Sequence, residues 1–135
     1  MRDGAQGIRE VTGSVMDPRN FKEEKAQFEK LVPRKFFLAD LVRATALETK
    51  IPMSVLLGRR AFKNFVVARR RIWWIGREDM GLTYSQIGRL FERDHTTIIH
   101  GCTRYDEIAS QPDEVLQREY LCQQAERIFR KRLDD

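Results

Sequence analysis

The chain has 135 residues, 41% hydrophobic and 33% charged, with 25 Lys and Arg against 20 Asp and Glu for a formal net charge of +5. That length and balance suit one compact domain with an appended helix or two and enough apolar material for a core. They exclude a membrane span, because the longest apolar runs, 65–68 and 72–75, fall far short of the roughly 20 residues that cross a bilayer; no apolar segment follows a basic start, which argues against secretion.

In chain order, residues 1–16 mix Gly, Arg, Asp, Gln and Ser without period and predict a disordered arm. Asp17-Pro18 predicts a helix start, and Phe21, Phe28, Leu31 and Val32 give an N-terminal amphipathic helix over 17–35. From Phe36 to about Thr49, the spacing of Phe37, Leu41, Ala44 and Leu47 predicts a core-facing helix. Pro52 opens a short helix through Leu57 that Gly58 stops. A basic loop over 59–64 leads into a longer helix from Phe65 to Met80, with Val66, Val67, Ile72, Trp73 and Ile75 among arginines and Gly81 at its end. Of Trp73 and Trp74, one is assigned to the core and the other to a partly exposed place beneath a terminal helix. Arg59, Arg60, Lys63, Arg69, Arg70, Arg71 and Arg77 stand between 58 and 77 with no acidic residue among them. Charge alone does not decide between a solvated face and a phosphate contact.

Thr83 and Gln86 form a capping box for the next helix, which closes at Phe91. Gly88 is placed where two helix backbones approach closely. Glu92-Arg93 makes a tight turn, and Asp94 caps a helix from His95 to about Ile108. Gln111-Pro112 breaks the chain, and Asp113 caps a last helix over 113–133 with Val115, Leu121, Ala125, Ile128 and Phe129 along one side. No segment reads as a strand. The fold class is therefore all-α, a helix-turn-helix bundle over 36–110 with flanking N- and C-terminal helices.

In a helix-turn-helix, the first turn of the second helix enters the major groove. Here that turn carries Asp94, His95, Thr96 and Thr97. Asp94 can accept from a cytosine amino group, His95 can donate to a purine, and Thr96 can meet a thymine methyl while its hydroxyl bonds a base edge. The plainer reading is that Asp94 only caps and the threonines only start a helix. His95 and His100 are five apart and lie on different sides of the helix, a poor arrangement for a shared metal. Cys102 suits a small buried hydrophobe, and with Cys122 it reads as a free thiol, so no metal site is expected. No Gly-x-x-x-x-Gly-Lys-Ser/Thr loop and no nucleophile-base grouping stands anywhere in the sequence, which predicts a binding protein rather than an enzyme, without a cofactor.

Arg93-Asp94-His95-Thr96-Thr97 with His100 after two apolar residues, Ser85-Gln86-Ile87-Gly88 before Phe91, and Val67-Ala68-Arg69-Arg70-Arg71 upstream together resemble the C-terminal DNA-binding domain of the DnaA family, over roughly 36–108. The resemblance implies a Trp-repressor-like domain that binds DnaA boxes in double-stranded DNA. It implies base contacts from Asp94, His95 and Thr96, with Thr97 beside them at the backbone. It further implies a minor-groove arginine from the basic loop, for which Arg59, Arg60 and Lys63 are candidates and Arg60 is favoured, and phosphate contacts from Arg69, Arg70 and Arg71. The residues themselves add Tyr84 and Ser85 at the start of the first motif helix, Arg93 in the turn, and Arg104 one turn beyond His100 as phosphate contacts.

Three departures stand against the family pattern. The basic loop is about two residues longer and includes Phe62 and Phe65, the proline common within the arginine run is absent, and Phe91-Glu92-Arg93 replaces a junction with two glycines. The family's nucleotide-binding module has no counterpart in this sequence. The expected protein is thus a stand-alone, sequence-specific DNA binder, cytoplasmic and nucleoid-associated. It would regulate replication initiation or transcription, with a phage or prophage origin among the options, and would have no membrane partner. The alternative is an adaptor whose terminal helices bind a protein partner or a second copy, with DNA binding weak or lost.

Overall fold

Six helices follow one another in the computed structural model, which describes residues 35–134: α1 (Leu38–Thr49), α2 (Met53–Leu56), α3 (Lys63–Glu78), α4 (Tyr84–Phe91), α5 (His95–Asp106) and α6 (Pro112–Asp134). The described residues contain no strand, and the fold is an all-α helix-turn-helix bundle. The expected arm over 1–16 and all but the last residue of the expected helix over 17–35 lie outside the described residues.

α1 starts where the Asp40 carboxylate accepts the Phe37 backbone N–H at 2.9 Å, and it stops at Lys50, whose φ of 61° turns the chain left-handed. Its buried face is Leu38, Leu41, Val42 and Thr45, an i, i+3, i+4, i+7 set, with Ala44 beside it. Phe37 and Leu47, expected to face the core, are instead 61% and 70% exposed. The apolar residues of this helix occupy two overlapping arcs. The inner arc accommodates a threonine because Thr45 Oγ1 donates to the Leu41 carbonyl at 2.8 Å.

α3 begins at Lys63, two residues earlier than expected, which shortens the basic loop and puts Lys63 in the first turn of a helix. It runs through the middle of the core, burying Ala68, Ile72, Trp73, Ile75 and Gly76. A Cβ on Gly76 would stand 3.2–3.3 Å from side-chain atoms of Ile87 and Leu38, so α1 and α4 both press on α3 there. Trp73 is the core tryptophan. Trp74 is half-buried, donates to Asp106 Oδ1 at 2.6 Å and lies under the Arg118 guanidinium of α6 at 4.3 Å.

α6 begins at Pro112, in the position where a missing N–H costs nothing, and Asp113 falls in its first turn rather than at its cap. Expected as a segment flanking the bundle, this helix instead places Leu121, Cys122 and Ala125 in the same core as α1 and α3. Of the stripe expected to dock a partner, only Val115 is exposed; Ile128 and Phe129 pack against the core. The C-terminal end of α6 is fastened by Arg132, which grips buried Asp40 at 2.7 and 2.8 Å between the rings of Phe37 and Phe129. Arg132→Ala leaves the Asp40 carboxylate, 1% exposed, without its counter-charge. Because the arginine is itself half in solvent, a loss of about 1–3 kcal/mol is expected in urea unfolding.

Candidate nucleic-acid interface

The α4–turn–α5 unit is built from local interactions. Thr83 Oγ1 accepts the Gln86 N–H at 3.1 Å, and Gln86 Oε1 accepts the Thr83 N–H at 2.8 Å, closing the capping box. α4 ends on Glu92, which adopts a left-handed conformation (φ 52°, ψ 50°) without the aid of a glycine, at a cost of about 1–2 kcal/mol. Gly88 makes the close approach possible, but the neighbour is the turn and not a second helix. The Arg93 N–H donates to the Gly88 carbonyl at 2.9 Å, and a Cβ on Gly88 would meet the Arg93 carbonyl oxygen at 2.4 Å.

Asp94 caps α5 by accepting the Thr96 N–H at 2.7 Å, a bond that holds its carboxyl below the usual range. The His95 Nδ1 lies 3.3 Å from the same oxygen, Oδ1. Capping and reading therefore do not compete for the whole carboxylate. Asp94, His95, Thr96 and Thr97 are all exposed and adjoin one another on the solvent side of the first turn, while Ile98, Gly101, Cys102 and Tyr105 face the core. Burial pushes the Cys102 thiol up to about 11, as fits a packing residue. The depth at which α5 sits is set by Gly101, where a Cβ would come within 2.4 Å of the Trp73 ring.

The basic loop is tied to this unit by two crossed bonds. Arg93 Nη2 donates to the Gly58 carbonyl at 2.7 Å, and Arg59 Nη2 donates to the Glu92 carbonyl at 2.8 Å. Arg93 also reaches the Phe91 carbonyl at 3.3 Å and lies over the Trp73 ring. Its guanidinium is half-buried, and burial followed by the charge of Arg59 lowers its proton affinity. Arg93 is thus a brace first and has limited reach for a phosphate. Arg60 is exposed, and its side chain makes no hydrogen bond or ion pair among the described residues.

Two of the three arginines expected to grip phosphates are turned inward. Arg69 is 3% exposed and gives its guanidinium to the carbonyls of Leu56, Val55 and Arg60, so it anchors the loop from below. Arg71 is 8% exposed and forks onto Glu114 of α6 at 2.9 and 3.1 Å. Burial works against the Arg71 charge, but the Glu114 bonds and charge outweigh it and the pKa ends raised. Both guanidiniums are buried against these internal acceptors, so against the expectation neither is presented at the surface for a phosphate. Arg70 alone of the three reaches the surface, beside Gly101 of α5.

Ser85 is exposed in the first turn of α4, Tyr84 is half-buried with Arg77 stacked 4.5 Å over its ring, and Arg104 is exposed with Glu107 at 3.8 Å. The basic loop, the outward face of α3 and the first half of α5 meet around a cleft lined by Arg59, Arg70, Arg93, Thr97 and His100 with Trp73 at its side. The spacing of His95 and His100 says only that they do not share a metal, and the place of His100 in this cleft depends on how α5 lies against α3. No group of three His, Cys, Asp or Glu able to hold a metal occurs among the described residues, and none of their helices is long and apolar enough to cross a membrane.

Comparison with known proteins matches residues 38–104 to the family described as the bacterial DnaA protein helix-turn-helix. The chain is 36% identical over 59 residues to the chromosomal replication initiator protein DnaA 1 of Chlamydia trachomatis serovar D, covering 44% of this chain and 13% of that protein. It is 30% identical over 86 residues to DnaA of Thermomicrobium roseum, covering 63% of this chain and 18% of that protein. With DnaA of Roseobacter denitrificans the identity is 25% over 83 residues, or 61% and 18% of the two chains. The chain thus spans less than a fifth of the length of these relatives.

Proposed function

Residues 38–104 of this chain belong to the bacterial DnaA helix-turn-helix family, and from that membership and the geometry of α5 we propose that the chain binds double-stranded DNA sequence-specifically at sites of the DnaA-box kind. The observation that carries the reading is the first turn of α5, where Asp94, His95, Thr96 and Thr97 adjoin on an exposed face. A first turn directed into a major groove presents these groups to base edges. Arg60, whose side chain makes no hydrogen bond or ion pair among the described residues and which is joined to the reading unit through a braced loop, is the arginine for the adjacent minor groove, where narrowed A/T-rich DNA attracts a cation. Ser85, Arg70 and Arg104 lie on the surface as phosphate contacts.

The protein's role follows from what such a reader does at a DnaA box. It regulates replication initiation, by competing with the initiator or by marking its sites, or it regulates transcription from promoters that contain them. Either role places it at the nucleoid, acting by binding and not by catalysis.

Fluorescence anisotropy with a DnaA-box duplex and a scrambled duplex of equal length tests the proposal. Clear preference for the box is expected. His95→Ala should abolish most of it, since one good base contact is worth about 1–3 kcal/mol, roughly a tenfold loss or more. Because His95 is exposed on a capped helix, the variant should melt with the parent. Equal affinity of the parent for both duplexes would refute the sequence-specific reading, and absence of binding to either would refute DNA binding.

A further inference from the structure

The basic loop holds one side chain for which neither the fold nor the DNA reading has a use. Phe62 is 65% exposed, so most of its ring forgoes the burial by which an aromatic side chain stabilises a fold. It stands at the N-cap of α3 without giving that helix a side-chain cap. Its ring meets Phe65 edge to face, with centroids 5.5 Å apart. From Gly58 to Lys63 the chain has three basic residues, Arg59, Arg60 and Lys63, and no acidic one. An apolar protein surface laid on this ring would have to desolvate those charges, whereas a nucleic acid neutralises them.

The side on which the ring lies follows from the alternation of the loop. Arg59 and Ala61 line the cleft against α3 and α5, while Arg60 and Phe62 do not line it and are exposed. Phe62 has extended backbone (φ −64°, ψ 146°), and extended backbone turns successive side chains to opposite sides. The guanidinium assigned to the minor groove and the ring therefore share the outer side of the loop. That side is held firmly. Arg69 donates to the carbonyls of Arg60, Val55 and Leu56, Arg93 to that of Gly58, and Arg59 to that of Glu92. Phe65, partly buried against the core, backs the ring. A side chain braced in this way has little freedom to lose on binding.

We propose that Phe62 is a wedge that enters DNA from the minor groove beside Arg60 and unstacks one base step. The inference rests on the DNA reading, which puts this loop in the minor groove. A cation that enters the groove beside an apolar wedge is the combination with which minor-groove proteins part a base step and kink the duplex toward the major groove. Between two bases the ring gains the stacking contact that solvent denies it. Pyrimidine–purine steps part most readily, so the wedge adds a preference for such a step beside the base contacts of α5, and does so without a hydrogen bond to any base.

The test uses the full chain with box and scrambled duplexes that carry 2-aminopurine at one adenine at a time and a donor–acceptor dye pair at their ends. 2-Aminopurine brightens when it is unstacked. The parent should brighten it at one step of the box, with an end-to-end distance that reports a bend of about 20° or more. Phe62→Ala should lose the brightening and most of the bend, while Phe62→Leu, which keeps an apolar wedge, should retain much of both. Phe62→Ala should also melt with the parent, since the side chain is exposed, and keep the parental dependence of affinity on salt, since no charge is removed. Brightening that persists in Phe62→Ala would overturn the wedge. So would its absence at every position in a parent that prefers the box, a result that leaves the sequence-specific reading standing. Brightening that depends on Phe62 in box and scrambled duplexes bound with equal affinity would sustain the wedge and sink that reading. A parent that binds neither duplex would sink both.

Discussion

Glu114→Ala should cost about 3–5 kcal/mol of stability in chemical denaturation, the scale expected when one partner of a buried ion pair is removed. Glu114 accepts from Arg71 through both carboxylate oxygens and from the Tyr105 hydroxyl, and Arg118 in turn donates to that hydroxyl and to the Ala109 carbonyl. One carboxylate therefore joins α3, α5 and α6. The side chains of Arg71 and Glu114 are 10% and 15% exposed, so the alanine variant leaves a guanidinium desolvated and unpaired. Against the 5–15 kcal/mol typical of a whole domain, the loss is a large fraction. A double variant, Arg71→Met with Glu114→Leu, should recover much of it, because apolar replacement removes the orphaned charge along with the pair. If the single and double variants were equally unstable, packing and not charge would be the cause.

The same network gives the fold a pH signature at both ends. Burial pushes the Glu114 carboxyl upward, but the bonds from Arg71 and Tyr105 outweigh it and set the pKa below its ordinary 4.5. Its contribution is complete above that value and is lost as acid carries the pH through the folded pKa. Burial, followed by the bond to Glu114, raises Tyr105 from 10 to about 12. Its contribution is complete below pH 10 and disappears as the pH rises through about 12. Tyr105→Phe should remove most of the alkaline loss in that window and leave the acid limb in place.

How much of this was legible in the sequence depended on the distance over which each interaction acts. The Thr83–Gln86 box, the Asp94 cap and the Gly81 turn (φ 71°) involve neighbours within three residues, and each was read correctly. The buried face of α1 was half misread, since Phe37 and Leu47 continue an apolar arc that only the placement of α3 and α6 could exclude. The arginine run was the harder case. Each of Arg69, Arg70 and Arg71 stands three or four residues from an apolar core position on α3, so helical register does not choose among them. What chooses is Glu114, 43 residues onward, and the carbonyls of Leu56 and Val55, 13 and 14 residues back. The first turn of α5 was visible as a motif because a capped helix start is a local object. The cleft beside it was not, because it exists only once α5 lies on α3.

That dependence leads to the second large effect. Gly101→Ala should cost the chain its box preference more than it costs stability. The added methyl would stand 2.4 and 2.5 Å from Cε3 and Cζ3 of Trp73, distances that no packing tolerates. The indole is 5% exposed and edge-on to Phe91 at 5.6 Å, so it cannot turn aside. The helix must move instead. Overpacking of this kind costs about 1–3 kcal/mol, and the chain should remain folded. A shift of α5 away from α3 displaces Asp94, His95 and Thr96 together, and with several contacts at about 1–3 kcal/mol each the affinity for the box should fall by more than tenfold. Binding to the scrambled duplex, which depends on surface arginines, should change far less. Trp73→Leu combined with Gly101→Ala makes room for the methyl and should return part of the preference, although Trp73→Leu alone lowers stability. Were Gly101→Ala to read the box as well as the parent, the aim of α5 would be set by the turn at Glu92–Asp94 and not by its bed on Trp73.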